Sequence, residues 1–232
     1  MMGIVAHDLR NLLGSVLTCT SRIRRHLPES NDLIGNPVGV IEAAVARMNR
    51  LIQDLLDVAR MEAGRFSIER AGVSTAHLLF ECVDSQKPLA SEASLDLVLE
   101  AAPGLPRIWA DRDRLLQVFE NLIGNALKFT EPGGRITVGA EPRKGEVLFW
   151  VADTGAGIPA DDLPHVFDRF WQTRKPNRRG AGLGLAVVKG IVEAHGGRIT
   201  ADSAPERGSK FTFTIPIVTP TVATTSRDLC LA

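Results

Sequence analysis

The stretch Asp111-Arg-Asp-Arg-Leu-Leu-Gln-Val-Phe-Glu-Asn121-Leu-Ile-Gly-Asn125-Ala-Leu-Lys128-Phe-Thr130 carries two patterns at once. Leu115, Leu116, Val118, Phe119, Leu122, Ile123, Ala126 and Leu127 recur with the helical period and supply one buried side. Asn121, Asn125 and Lys128 stand at spacings of four and three, which puts them together on one face of that helix. The face is too polar for a core. Two amide oxygens able to ligate Mg²⁺ and an ammonium able to meet a phosphate are the groups a nucleotide-metal site requires. Taken without its neighbours, the same face reads equally well as a solvated helix surface.

Downstream, Asp153-Thr-Gly155-Ala-Gly157-Ile158 closes a strand expected over 146–152. Its glycines allow backbone to approach a flat ligand, and its carboxylate can accept a hydrogen bond from an exocyclic amine. Phe167-Asp-Arg-Phe-Trp171 follows, and then residues 172–180, where Arg174, Lys175, Arg178 and Arg179 have almost nothing apolar among them. Such a stretch cannot pack as core; a lid over a triphosphate and a solvated basic loop both fit its composition. Gly180-Ala-Gly182-Leu183-Gly184-Leu185 then enters an apolar helix expected over 186–195, offering backbone N–H groups and a helix N-terminus to phosphate. A dinucleotide fold fits poorly, since the stretch before this loop is not a strand and no acidic residue follows about 20 positions on in a βαβ unit; no Walker A sequence is present either.

The remaining signals of this half are a strand over 66–71, a helix over 74–91, and a strand over 95–101 with Leu95, Leu97 and Leu99 on one face. A hairpin over 135–140 and 146–152 and strands over 198–203 and 208–213 follow. Strands interleaved with helices and hairpins predict an α+β two-layer sandwich, one largely antiparallel sheet under a helical layer. The Thr- and Ser-rich residues 219–232 are expected to be a disordered tail.

The first part of the chain is helical in pattern. A helix over 4–27 stops at Pro28, the polar segment 29–37 with Gly35 supplies a reversal, and a second helix follows. In it Ile41, Val45, Met48, Ile52, Leu55 and Ala59 alternate steps of four and three, and Ala44, Leu51 and Leu56 widen the stripe. A lone hairpin buries only one such face, so two chains are expected to pair into a four-helix bundle. Packing of the stripe on the following domain is the alternative. In the first helix Leu9, Leu12, Leu13, Val16, Thr20, Ile23 and Leu27 share an arc opposite His7, so the imidazole points away from the core. Asn11 lies one turn on, Arg10 flanks both, and Asp8 is the candidate to accept the second ring N–H, given a rotamer that overcomes the splay of adjacent helical residues. The sequence Arg60-Met-Glu-Ala-Gly64-Arg65 ends the second helix, with Gly64 as expected pivot.

Bulk properties narrow the classes. The 232 residues suffice for two modest domains, and 44% hydrophobic residues can fill a core. Basic and acidic residues balance at 27 each, leaving no net charge to draw the chain onto nucleic acid or acidic lipid. Cys19, Cys82 and Cys230 lack a metal-ligand pattern and read as reduced thiols in a cytosolic setting. No apolar run reaches the roughly 20 residues that cross a bilayer, so no membrane contact is expected from this chain. Met1-Met2-Gly3 opens almost directly onto the first helix, so input is expected from an upstream sensory domain or a separate protein, and the parent could be membrane-anchored.

In chain order these motifs resemble the boxes of sensor histidine kinases of two-component systems, over residues 1 to about 217. His7-Asp8-x-Arg10-Asn11-x-Leu13 resembles the phosphoacceptor box, residues 121–130 the N-box, 153–158 the first glycine box, 167–171 the F-box and 180–185 the second glycine box. The resemblance implies a dimerisation and phosphotransfer hairpin over 1–64 and a Bergerat (GHKL) type ATP-binding domain over 65–218, before the tail 219–232. It implies that His7 takes the γ-phosphate of ATP and passes it to a response regulator receiver domain. Asp8 would assist the proton shift, and Asp8 with Asn11 would orient water for the reverse, phosphatase task. Asn125 would ligate Mg²⁺ with Asn121 assisting and Glu120 contributing less, Lys128 would meet phosphates, and Phe129 would lie near the nucleotide. Asp153, with Gly155 and Gly157, would read the adenine amino group, making ATP rather than GTP the nucleotide. Gly182, Leu183 and Gly184 would contact phosphate, and Thr212 would touch the adenine region. Leu12 stands where a Pro often follows the Asn, and Ala181 where a Thr is frequent. A related ATPase or serine kinase, and a non-enzymatic dimeric scaffold, are the rival readings; phosphate lability in acid and a nucleotide titration separate them.

Overall fold

A computed structural model of the chain describes residues 13–23, 32–171 and 182–217. The phosphoacceptor box with His7, Asp8 and Asn11, the basic stretch 172–181 and the tail 219–232 lie outside the described residues. The chain divides into two compact units, residues 1–67 with 164–190, and residues 68–163 with 191–232. This differs from two consecutive blocks, because residues 164–190 group with the helices.

In the first unit, helix α1 covers the described residues 13–23 and α2 spans Asp32–Glu62. The reversal expected over 29–37 is shorter than that: α2 already contains Gly35 and Pro37. Pro37 is exposed and close to the helix start, so it removes one backbone hydrogen bond without forcing its ring into a packed neighbour. The helix ends as expected at Gly64, whose φ of +62° suits glycine while Arg65 N–H donates back to the Arg60 carbonyl at 2.9 Å. Val38, Val45 and Leu56 are buried, and so is Thr20 of α1, whose hydroxyl donates to the Leu17 carbonyl. Val16 and Ile23, seven residues apart on α1, and Ile41, Met48 and Leu55, at seven-residue steps on α2, stay exposed. Burial and the neighbouring Asp57 push Asp54 up to about 6, with Arg50 opposing. Residues 164–190 meet α2 through an ion pair of Arg169 with Glu62 and through Gly190, which faces the Met61 thioether.

The second unit is the sandwich. Its elements are β1 (Ala71–Ser74), α3 (Thr75–Glu92), β2 (Asp96–Ala101), β3 (Arg107–Ala110), α4 (Arg112–Phe129), β4 (Arg135–Arg143), β5 (Glu146–Asp153), β6 (Ile199–Ser203) and β7 (Ser209–Pro216). Helix α5 spans Gly184–Ala194 and crosses the division between the units. A five-stranded sheet has the order β2-β4-β5-β7-β6, parallel only between β2 and β4. Helices α3 and α4 lie side by side on one face of it. The strand expected over 66–71 is displaced to β1, which pairs with β3 in a separate two-stranded ribbon.

Phe119 of α4 seats that helix on the sheet. Its ring meets the edges of Phe149 and Phe213 at 5.8 and 5.4 Å, and those two stack at 5.0 Å on adjacent strands. All three are fully buried, and each pair contributes about 0.5–1.5 kcal/mol beyond area burial. Cys19 and Cys82 are free thiols; burial pushes Cys82 up to about 12, which leaves it inert.

At the other end of α4, Asp111 caps the helix by accepting from Arg114 N–H at 3.1 Å and ties down Glu69 N–H at 2.9 Å. Buried His195 completes this corner: Nδ1–H donates to the Ile191 carbonyl at 2.8 Å, and Nε2 accepts from Asp111 N–H at 3.0 Å. Arg70 donates to the adjoining Ala194 carbonyl. Burial holds the imidazole below its ordinary 6.5, with Arg70 adding to the drop and the Ile191 carbonyl and Asp111 opposing it. The folded state therefore binds this proton less readily than the unfolded chain, so stability from the neutral ring is present above pH 6.5 and is lost as pH falls. The fall in thermal midpoint between pH 7 and pH 5 should be smaller in His195→Gln than in the wild type; an equal fall would show that another group sets the acid limit.

Candidate functional site

The C-terminal half of α4 carries the polar stripe. Asn121 and Asn125 lie one turn apart, about 6 Å along the axis. Asn121 Nδ2 donates to the Gln117 carbonyl at 3.0 Å, which leaves its Oδ1 for a ligand. No hydrogen bond among the described residues holds the Asn125 amide. Lys128 and Phe129 are exposed at the helix end, the ammonium 4.2 Å from the ring centroid. The stripe begins earlier than expected, because Arg114 donates to Gln117 Oε1 at 2.8 Å on the same face.

Thr130 terminates the helix, and the Phe129 carbonyl accepts from Ala156 N–H at 3.3 Å. The loop leaving β5 is thereby brought to the end of α4. Asp153 Oδ1 accepts from Gly155 N–H at 2.8 Å, turning the chain sharply. Burial raises the Asp153 carboxyl above its ordinary value, while the Gly155 and Ser209 backbone N–H groups pull it down. A half-buried carboxylate with lone pairs left over is the acceptor that an exocyclic amino group would require.

The glycines of this loop are also required by the packing of the protein itself. A methyl on Gly155 would run into the Phe129 carbonyl, and one on Gly157 into the Ala204 carbonyl. Both are demanded by the protein's own backbone before any ligand arrives. Gly157, at φ +67°, abuts the turn over 204–208, where Glu206 N–H donates to the Ala156 carbonyl at 2.9 Å. Gly208, at φ +74°, in turn abuts the Asp153 carbonyl.

Thr212 does not reach this end. It pairs with Trp150, whereas Asp153 pairs with Ser209. Side chains alternate between sheet faces, and Phe211 and Phe213 occupy the face toward α4, so Thr212 lies on the other one. Ser209, two residues before Phe211, shares the α4 face with Asp153. Ser209 and Ser203 are the site residues that sequence reading missed; counting back by twos from Phe213 would have found Ser209.

Gly182, Leu183 and Gly184 belong to the first unit. Phe170, exposed and at φ +60°, donates its N–H to the Gly182 carbonyl at 2.8 Å. A methyl on Gly182, itself at φ +70°, would meet the Trp171 carbonyl at 2.5 Å. Leu183 is buried and its carbonyl accepts the Val187 N–H at 2.9 Å, so α5 begins at Gly184.

Mg²⁺ is tested by the donor set. Among the described residues no group of three or more His, Cys, Asp or Glu could hold a metal. The free amide oxygens of Asn121 and Asn125 suit a hard cation that keeps water and phosphate as its other ligands, so the residues fit.

Two family models match the chain: the His Kinase A (phospho-acceptor) domain over residues 1–64, and the histidine kinase-, DNA gyrase B- and HSP90-like ATPase over residues 110–219. The chain belongs to the sensor histidine kinases. Sensor protein DivL of Caulobacter vibrioides is 35% identical over 215 residues, covering 93% of this chain and 27% of DivL. Sensor protein SrrB of Staphylococcus aureus is 33% identical over 216 residues, 91% of this chain and 37% of SrrB. The kinase chain thus spans well under half the length of these relatives. Full-length ShkA in complex with AMPPNP is similar with a TM-score of 0.78 and 30% identity, covering 94% of this chain and 46% of ShkA. Histidine kinase ThkA in complex with response regulator TrrA is similar at 0.64 and 25%, covering 94% and 61%.

The glycine packing is testable within this kinase chain. Gly157→Ala should lower the thermal midpoint and abolish adenine-nucleotide binding. Gly145→Ala, also at positive φ but with open space around its Cβ, should cost about 1 kcal/mol and leave binding intact. Comparable effects of the two would mean that the loop yields to a methyl.

Proposed function

We propose that this chain is the catalytic core of a sensor kinase that phosphorylates its own His7 from Mg-ATP and passes the phosphoryl group to an aspartate of a response regulator. The observation that carries the reading is the junction of α4 with the Asp153 loop: a helix bearing Asn121, Asn125 and Lys128 ends on the carbonyl that holds the loop bearing Asp153. One end offers acceptors to an adenine amino group and the other offers amide oxygens and an ammonium toward phosphates. Asn125 and Asn121 would hold Mg²⁺, which when bound offsets phosphate charge. Lys128 adds a fixed positive charge, and Gly182, Leu183 and Gly184 contribute backbone N–H groups to phosphate. The His7 ring nitrogen attacks the γ-phosphorus, the bond to the β–γ bridging oxygen breaks, and ADP leaves as Asp8 assists the loss of the second ring proton.

In the reverse task, Asp8 and Asn11 orient water against the phosphorylated regulator. No described helix is long and apolar enough to cross a membrane, and the reaction is assigned to the cytoplasm, downstream of a sensory domain or protein. The exposed heptad positions Val16 and Ile23 on α1 and Ile41, Met48 and Leu55 on α2 support pairing with a second copy.

Labelled ATP should leave acid-labile, base-stable label on the wild type and none on His7→Gln, while Asn125→Ala should lose nucleotide binding. Asn11→Ala should keep autophosphorylation and lose most regulator dephosphorylation. Label that survives acid would assign a serine kinase instead. For the dimer, Met48→Glu should convert the chain to a monomer in sedimentation velocity; an unchanged sedimentation coefficient would place the interface elsewhere.

A further inference from the structure

Residues 66–68 separate the cap of α2, where Arg65 N–H reaches back to the Arg60 carbonyl, from Glu69, whose N–H is held by Asp111. The division between the two units crosses this lead from α2 into the sandwich, between Ser67 and Ile68. The far end of the lead is fixed by side chains before any strand begins. Glu69 N–H donates to Asp111 Oδ2 at 2.9 Å, and the Arg70 guanidinium donates to the Ala194 carbonyl at 2.9 Å. Strand pairing starts only at Ala71, opposite Ala110.

Both bonds lean on one buried imidazole. The Ile191 carbonyl, 2.8 Å from His195 Nδ1, can only accept, and Asp111 N–H, 3.0 Å from Nε2, can only donate, so the ring is neutral with its proton on Nδ1. A second proton on Nε2 would face the Asp111 N–H, donor against donor. Asp111 is also the residue whose carboxylate holds Glu69 N–H and caps α4 through Arg114 N–H, so a shift there reaches Glu69 directly. On the other side a charged ring would repel the Arg70 guanidinium, whose acceptor Ala194 is the next residue along α5. Among the described residues Arg70 and Asp111 are the charged groups that act on the ring, Arg70 together with burial opposing its charged form and the Asp111 carboxylate favouring it.

We propose that His195 is the pin of a proton-operated latch on this lead: its neutral ring holds residues 69 and 70 on the sandwich, and uptake of a second ring proton goes with their release. Release moves the first fixed residue beyond Arg65 from Glu69 to Ala71. At ~3.5 Å per residue, the maximum reach of the lead grows from about 14 Å to about 21 Å. Because the neutral ring belongs to the held state, the latch is fully closed above pH 6.5 and weakens as pH falls below it. On the kinase reading given above, a longer lead lowers the effective concentration of the phosphoacceptor at the nucleotide.

Amide hydrogen exchange on the whole chain, corrected for the intrinsic effect of pH on exchange, tests the latch. Between pH 7.5 and pH 5.5 the protection of the Glu69 amide should fall about tenfold, the mark of an opening that takes up one proton, while the amides of β4 and β5 keep theirs. His195→Gln presents an oxygen to Asp111 N–H but does not titrate, so its Glu69 protection should be the same at both pH values. Three results overturn the latch: unchanged Glu69 protection in the wild type, a loss shared by β4 and β5, or a fall that persists in a folded His195→Gln. Should circular dichroism show that variant unfolded, the wild-type pH profile decides. Its fall must begin near pH 6.5, and one that begins only in the carboxylate range overturns the assignment. None of these measurements uses nucleotide, so the latch can fail while the kinase reading stands, and the reverse holds as well.

Discussion

The seating of Phe119 on the stacked Phe149 and Phe213 rings is the contact from which the site follows. It lies near the middle of α4 and holds the helix across the two central strands of the sheet. An 18-residue helix fixed at its middle has both ends placed about 27 Å apart. One end meets the corner built by Asp111, His195 and Glu69, and the other delivers the Phe129 carbonyl to the loop after β5. The polar stripe is then presented by a rod clamped at three points, with each asparagine a fixed number of residues from a clamp. Amides on a mobile loop would have to be ordered at the moment of binding, at a cost of order 1 kcal/mol or more per residue.

Sequence reading captured the parts whose signal is local. The helix α4 was legible because its apolar period, its Asp111 cap and its polar face agree along one segment. The Asp153 loop was legible as a site, but the reason for its glycines was not. Their missing side chains answer to the carbonyls of Phe129 and Ala204, 26 and 47 residues distant in sequence from Gly155 and Gly157, and no pattern in the loop encodes those partners. The same limit hid that Ser209, and not Thr212, stands opposite Asp153. Both positions lie on one strand beside a glycine turn, and only the strand's register against β5 decides which one faces Asp153. The short ribbon of β1 and β3 escaped because four-residue strands carry little periodicity. Helix α2 began before its proline because one lost backbone bond is a small local loss against a long packed helix. The exposure of the His7 imidazole is read from the helical period and its phosphoacceptor role from the family resemblance, and His7 lies outside the described residues.

Two opposing influences meet at Asp153. Burial favours its neutral form, and the Gly155 and Ser209 backbone N–H groups favour the charged one. Those donors are supplied by the loop and strand pairing themselves, so the folding of the loop and the acceptor character of the carboxyl are one event. A loop opened by a misplaced methyl would lose both. The glycine packing, the 204–208 turn and the Ser203 hydroxyl, which all hold this loop and strand end in place, therefore bear on the state of the Asp153 carboxyl as well.

At the phosphate end the logic is reversed, because the side chains there are neutral amides instead of carboxylates. A cage of aspartates would bind a divalent cation without nucleotide and would repel a triphosphate once the cation left. Asn121 and Asn125 bring oxygen atoms without charge, so they offer weak hold on a bare cation and no repulsion toward phosphate. The negative charge that makes a hard cation bind must then arrive with the nucleotide, whose phosphates complete the coordination. Under the proposed reading, metal and nucleotide would bind as a pair. The Lys128 ammonium at the end of the stripe is placed where it favours an anion and disfavours a cation alone. Under that reading an electrically balanced chain, with 27 basic and 27 acidic residues, would draw its hold on a charged ligand from the local arrangement of side chains on one helix face.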